Sequence, residues 1–510
     1  MRTDQKCGAR LLVHGRPGAS YLLYALGAVG VWVAATQYPW QRPHPICQQL
    51  ASQLEGKVFT PGASVYQESL SSYFSYQEQS LKPACIVRPT SAEDVSTIIV
   101  TMAAAHRKFG EQFAIRSNGQ ALFAGVANIN GGVTIDLRAM DSIRISSDRS
   151  TVEIESGAAW GQVFSELDPQ NLTVTGGRAG AIGTGGYLLS GGLSMLGPAE
   201  GWACDTILEY EVVLASGEVV TATKSSHPDL FLALKGGSNN FGVVTKFIIK
   251  AYPFNGLWGG FLVYPGDEIP RQLGAFAGFM APGSFDPQAN PIMSVSWTSE
   301  YRVLMGTNVL LYAKPEPHPK ALRPFVDEVP ALFSTLRAMT MLDFNNEKDG
   351  HQMPGFYTLY YTTTFTHSPT VYALIVSAFN SSIPFISTVP NMNWHLTLQA
   401  SPATTGKNSL GLDSNDERLN ILMLIAFFPD PRHRHDVRKA ASHLLDTIKK
   451  TTKAAGVYRP FKYMGYADES QDVIGGYGEE SKKRLQAASR KYDPEGLFHR
   501  GVPGGFKLFP

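Results

Sequence analysis

Charge is scarce in this chain and evenly split: 17% of its 510 residues, with 44 Lys plus Arg against 43 Asp plus Glu. Such a balance leaves no net field to hold a polyanion, so nucleic acid is not an expected partner. Cysteine is scarcer still. Of four cysteines, Cys7 lies in a basic amino-terminal stretch, leaving Cys47, Cys85 and Cys204. A Cys47–Cys85 bridge would close a loop of about 40 residues and contribute about 4 kcal/mol in the chain-entropy treatment, with Cys204 left as a buried free thiol. Internal repeats and low-complexity tracts are absent. So are a Walker lysine pattern and a G-x-S-x-G elbow, and Gly183-Thr-Gly185-Gly-Tyr-Leu188 has leucine where a Rossmann fingerprint needs its third glycine. These absences exclude three common nucleotide and hydrolase motifs.

What is present is apolar and rich in glycine. With 44% hydrophobic and 11% aromatic residues the chain can bury a large core, and its length predicts two or three folded units. Arg2, Lys6, Arg10 and Arg16 precede an uncharged run, Ala19 to Thr36, with small residues at Val33-Ala34-Ala35. Residues 1–40 therefore read as a signal peptide or a signal anchor, with residues 19–36 as the membrane segment in the second case. Asn171-Leu-Thr173 and Asn380-Ser-Ser382 match the N-glycosylation acceptor, which agrees with a secreted or anchored protein of the secretory pathway.

Between residues 81 and 255 the periodicity predicts a strand at Cys85–Val87, then a helix opened by Ser91 and Asp94 with Val95, Ile98, Ile99, Met102 and Ala105 on one face. A strand at 113–115 runs straight into Arg116-Ser-Asn-Gly-Gln120. Such a strand end is where open α/β sheets place ligands. Strands at 133–137 and 151–155, a helix at 159–167 and a hairpin over 207–223 follow. A second glycine-rich stretch spans 176–192, and a third turn, Gly236 to Gly242, precedes a strand at 243–251. From about 256 to 455 alternating strands and amphipathic helices predict a separate α+β unit with an antiparallel sheet. Main-chain amides of two glycine turns at strand ends make a nest suited to a diphosphate, so the first unit is expected to hold a nucleotide.

The stretches PACIVRPTSAEDV (83–95), FAIRSNGQ (113–120), GGVTIDLRAM (131–140), GAIGTGGYLLSGG (180–192), VVLASGEVV (212–220) and DLFLALKGGSNNFGVVT (229–245) resemble an established pattern. So do YADESQDVIGGYG (466–478) and KYDPEGLFHRGVPGGFKL (491–508). The chain is identified on these motifs as a member of the p-cresol methylhydroxylase and vanillyl-alcohol oxidase superfamily of FAD enzymes, in its berberine-bridge-enzyme-like branch. The resemblance implies a two-subdomain FAD-binding domain over 41–255, an α+β substrate domain over 256–455, and a closing segment over 456–510 that returns to the FAD domain. It also implies that Arg116, Ser117, Asn118, Gly119 and Gln120, with Gly183, Thr184, Gly185 and Gly186, flank the FAD diphosphate, and that Val243 and Val244 lie near the nucleotide end.

Two departures matter. Relatives often carry a flavin-bound histidine where this chain has Gln120, and some a cysteine where it has Ala179; no histidine occurs between His106 and His227. FAD is therefore expected to be held non-covalently. Asn118 replaces a glycine, a change that asparagine tolerates if the position needs positive φ. Loss of the tether fits a flavin oxidoreductase taking hydride from a small organic molecule, and equally a redox-neutral cyclase, pericyclase or isomerase; a non-catalytic binding protein is the third reading. The aromatic, weakly charged composition leans toward an apolar substrate of secondary metabolism. Candidate chemistry falls on Tyr463 and Tyr466, where the resemblance puts the flavin-facing wall, and on Gln399 at a strand end. Tyr357 and Tyr361 should share one strand face and Tyr360 the other. His433, His435 and His443 are crowded by arginines, and no metal site is proposed.

Overall fold

The computed structural model describes residues 44–413 and 418–509. The amino-terminal basic and apolar stretches lie outside the described residues. Among the described residues no helix is long and apolar enough to cross a membrane.

The first sheet orders its strands Val58–Phe59, Cys85–Val87, Val133–Asp136 and Phe113–Arg116, the last three parallel. Between Cys85–Val87 and Phe113–Arg116 runs the helix Ala92–Phe109. Its apolar positions 95, 98, 99 and 102 are fully buried, and Gly110 ends it at φ +75°. Ser91 caps it by accepting from Asp94 N, but the Asp94 carboxylate turns to Thr90 N and Lys57, so only half of a reciprocal capping box forms. Cys47 and Cys85 are disulfide-bonded, tying the helix Pro45–Gln53 to this sheet, and Cys204 is free and buried.

A second, antiparallel sheet orders Ile143–Ile145, Thr151–Glu155, Val243–Lys250, Ile207–Val213 and Val219–Ala222. The 207–222 hairpin turns at Gly217, φ +86°.

The third sheet has nine strands, all antiparallel. Its order is Phe333–Ser334, Leu257–Pro265, Leu304–Tyr312, Ile292–Thr298, Asn393–Ala400, Asn420–Phe428, Tyr357–Phe365 and Tyr458–Arg459, with Arg337–Met339 also paired to Leu257–Pro265. Alternation gives it two unlike faces. Trp394, Leu396, Leu398, Leu422, Leu424, Leu359 and Tyr361 share one core with the helices Ile269–Met280, Pro369–Ser382 and Arg434–Ala454. Burying each of these leucines contributes about 2 kcal/mol. Phe261, Ile292, Val309, Leu311 and Ile421, on the other face, join the core of the second sheet instead. The large sheet is therefore covered on one side by its own helices and on the other by the glycine-rich unit.

Candidate functional site

Ser117 is the knot that joins the first two glycine-rich turns. Its Oγ donates to Ser156 O at 2.5 Å and accepts from Gly185 N at 3.2 Å, while Asn118 Nδ2 donates to Ala181 O at 3.1 Å. The approach is too close for a side chain: a Cβ on Gly183 would lie 2.4 Å from Ser117 Oγ. Thr184 is likewise tied down, its amide to Ala158 O and its hydroxyl to Glu155 O. Gly186 differs, being exposed, with nothing within 4 Å of a Cβ added there. The amides of Asn118, Gly119 and Gln120 donate to no acceptor among the described residues. Unspent main-chain donors beside an open glycine fit a diphosphate, so the loops suit the FAD expected of them.

Other expected cofactor positions take different roles. The Arg116 guanidinium is fully buried, bonded to Ser69 O and Oγ, Ser72 Oγ and Asn118 O, and stacked 3.8 Å over Tyr73. It braces the first loop from the interior, leaving main chain as its offer to a ligand. Asn118 does not need positive φ; Gly119 carries it, at +88°. Gln120 is half-buried. Val243 and Val244 are buried, the first in the core of the first sheet and the second in that of the second sheet; both lie in the strand paired with Ile207–Val213, and Val244 O accepts from Ser156 Oγ. Ala179 is buried, its carbonyl accepting from Ile182 N.

The closing segment lies along these loops. Asn239 and Asn240, in the third turn, donate to Gly504 O and Phe506 O, and the Phe506 ring meets Phe123 edge-on at 5.6 Å. Lys507 reaches Asn239 Oδ1 and Phe498 O, and burial pushes its ammonium down to about 7. Just past the first loop, the amides of Gly125, Val126 and Ala127 donate to Glu78, which burial raises to about 7.

Across from the second loop stands the large sheet. His395, Thr397 and Gln399 alternate with the core residues Trp394, Leu396 and Leu398, and so face the glycine-rich unit; Met423, Ile425 and Tyr360 do the same on neighbouring strands. His395, Met423 and Ile425 are only half-buried although their strands lie inside the sheet, and so is Tyr360 on the neighbouring strand. Such exposure under a covering layer marks a cleft.

Arg178 spans it from the second loop, with Nη1 donating to Gln399 Oε1 at 2.8 Å and Nη2 to Tyr466 Oη at 2.7 Å. Two of the expected chemistry residues thus meet on one guanidinium. Tyr463 stands behind, 3% exposed, its ring perpendicular to Tyr466 at 4.9 Å and tilted on Trp202 at 5.7 Å. Burial raises its phenol well above the usual range. His395 shares a hydrogen with Ser296 Oγ at 2.7 Å, and burial, with the Lys348 charge, pulls its imidazole down to about 4. Lys348 sits with its ammonium 5.3 Å from the Phe261 ring centre and is pulled down to about 8 by burial and by Arg178.

Sequence reasoning passed over Arg178, Lys348 and Lys507. The first had a local signal, a lone cation inside a glycine run; the other two lie in ordinary polar stretches.

Comparison with known proteins agrees with this geometry. Residues 83–223 match the FAD binding domain family. FAD-dependent monooxygenase drtC of Aspergillus calidoustus is 32% identical over 473 residues, 91% of this chain and 90% of that protein. FAD-dependent monooxygenase sdcF of Emericella nidulans is 33% identical over 478 residues, 91% and 98% of the two chains. Among solved structures, 6-hydroxy-D-nicotine oxidase from Arthrobacter nicotinovorans has a TM-score of 0.74 at 21% identity, covering 89% of this chain and 98% of that one. Glucooligosaccharide oxidase from Acremonium strictum, whose FAD is 6-S-cysteinyl, 8α-N1-histidyl, has a TM-score of 0.70 at 18% identity, covering 91% and 100%. These two likenesses carry the fold. With drtC and sdcF, this chain belongs to the fungal FAD-dependent monooxygenases, FAD-linked oxidoreductases built on the FAD binding domain.

Proposed function

We propose that this FAD-dependent oxidoreductase holds its coenzyme without a covalent bond and oxidises a small organic molecule in the cleft between the second glycine loop and the large sheet. Bound FAD supplies the two-electron acceptor. The observation that carries the reading is the bridge from Arg178 to Gln399 and Tyr466, which fixes two polar groups at one wall. Because the guanidinium has only donors, the Tyr466 oxygen must accept, and the hydroxyl hydrogen is left to point at a substrate oxygen or nitrogen. Tyr466 and Gln399 then touch substrate, while Tyr463 positions Tyr466 by packing.

Gln120 and Ala179 carry neither imidazole nor thiol. The flanking histidines are engaged elsewhere, His106 with Glu111 O and His227 beside the Tyr492 ring. Acid precipitation of the holoprotein tests the tether: all yellow colour should pass to the supernatant, and a yellow pellet would overturn the non-covalent reading. The basic and apolar amino terminus, the Cys47–Cys85 bridge and the exposed acceptors Asn171 and Asn380 support passage through the secretory pathway. A mass decrease on enzymatic deglycosylation checks it.

A further inference from the structure

The geometry points to an anion subsite in this cleft, built from Arg178, Lys348 and the Gln399 amide, that takes the carboxylate or ionised phenol of an acidic organic substrate; it rests on the cleft being the substrate site. Three observations converge. Arg178 is held by neutral acceptors only, and no ion pair to it exists among the described residues. Its charge is positioned and not neutralised. Gln399 is 2% exposed, and its Oε1 is committed to Arg178 because a guanidinium cannot accept. That fixes the amide orientation and leaves Nε2 a buried donor with no partner. A buried amide donor left unpaired is destabilising unless a ligand oxygen meets it.

Lys348 is the third group. It makes no hydrogen bond or ion pair among the described residues, and its ammonium lies over the face of Phe261. The one carboxylate beside it, Asp349, is already engaged: Oδ1 accepts from Gln352 Nε2 at 2.8 Å, and Oδ2 lies so close to Gly180 that a Cβ added there would sit 2.7 Å from it. Glu347 is taken by Arg337. Asn345 Nδ2, one turn back in the same helix, donates to Gly177 O and seats that helix against the loop that carries Arg178; two cations on these facing segments make an arrangement that an anionic ligand completes and a neutral one does not. The charge-assisted, forked geometry of arginine suits a carboxylate or phenolate oxygen. Composition alone suggested an apolar substrate; the cleft adds an acidic end to it.

Calorimetric titration of the holoenzyme with benzoate and with benzamide separates charge recognition from shape, with FAD content followed by the visible flavin band. Benzoate should bind at least about tenfold more tightly than benzamide. Lys348→Met and Arg178→Met should each raise the benzoate Kd about tenfold or more, leave the benzamide Kd within about twofold, and leave FAD content unchanged. Arg178→Lys, which keeps the charge and loses the fork, should fall between wild type and Arg178→Met. Equal binding of benzoate and benzamide, or no binding of either, would overturn the subsite. So would an unchanged benzoate Kd in Lys348→Met, or an Arg178→Met protein that loses FAD while its benzoate-to-benzamide ratio stays fixed, because the donors would then serve the coenzyme. Calorimetry registers benzoate without flavin, so failure of the FAD assignment and failure of the subsite remain distinguishable.

Discussion

A methyl group added at Gly186 or at Gly183 should separate the loops' two tasks, packing on each other and receiving the coenzyme. At Gly183 the new Cβ would sit 2.4 Å from Ser117 Oγ and 2.7 Å from Asn118 Cβ and N. Ser117 cannot yield, since its hydroxyl already bonds Ser156 O and Gly185 N. Overpacking of this kind costs about 1–3 kcal/mol, so Gly183→Ala should lower Tm and weaken FAD binding together. At Gly186 the Cβ meets nothing within 4 Å, and the residue lies in the helix Thr184–Leu189. Alanine there should raise helix stability by about 0.5–1 kcal/mol. If that open space is where the diphosphate lies, the same methyl intrudes on it, and an intrusion of about 1–3 kcal/mol raises the FAD Kd about fivefold to a hundredfold. Gly186→Ala should therefore show unchanged or higher Tm with weaker FAD binding, read by thermal melts of the apoprotein and by quenching of FAD fluorescence. Wild-type FAD affinity in Gly186→Ala would refute the reasoning.

Three more outcomes follow from particular residues. Gln120→His should bring part of the flavin into the acid-precipitated pellet if this position faces the ring, and a pellet free of flavin would show that it does not. Glu78 is raised from an ordinary 4.5 to about 7 by burial. Its contribution to stability is therefore full below about pH 4.5 and lost as pH rises to about 7, a fall of about 3 kcal/mol that Glu78→Gln should flatten in Tm-against-pH curves. Lys348 carries its charge below about 8, among Arg178 from the loop, His395 from the sheet and Glu347, Asp349 and His351 on its own segment. Benzoate affinity should thus weaken as pH rises through about 8, and that step should vanish in Lys348→Met.

Local features of the fold were legible because their causes are local. Ser91 and Gly110 bracket a helix whose apolar spacing is regular, and the strand at 357–365 shows the expected division, Tyr361 in the helix-side core and Tyr360 toward the cleft. The glycine loops declared themselves by composition. The direction of a charged side chain did not: Arg116 at a strand end looked like a ligand-facing residue, yet Ser69, Ser72 and Tyr73, on and just past a preceding helix, draw it inward. The Arg178 bridge was equally hidden. It joins residues 221 and 288 positions away, a pairing set by how the large sheet seats on the second loop and written in no short pattern.

Titration of deflavinated protein with FAD and with riboflavin tests the diphosphate cradle most directly. Riboflavin has the ring without the diphosphate, so FAD should bind at least about a hundredfold more tightly, and ADP should compete with it. Equal affinity for the two flavins, with ADP without effect, would contradict the assignment of the amides at 118–120 and the open space at Gly186 to the coenzyme.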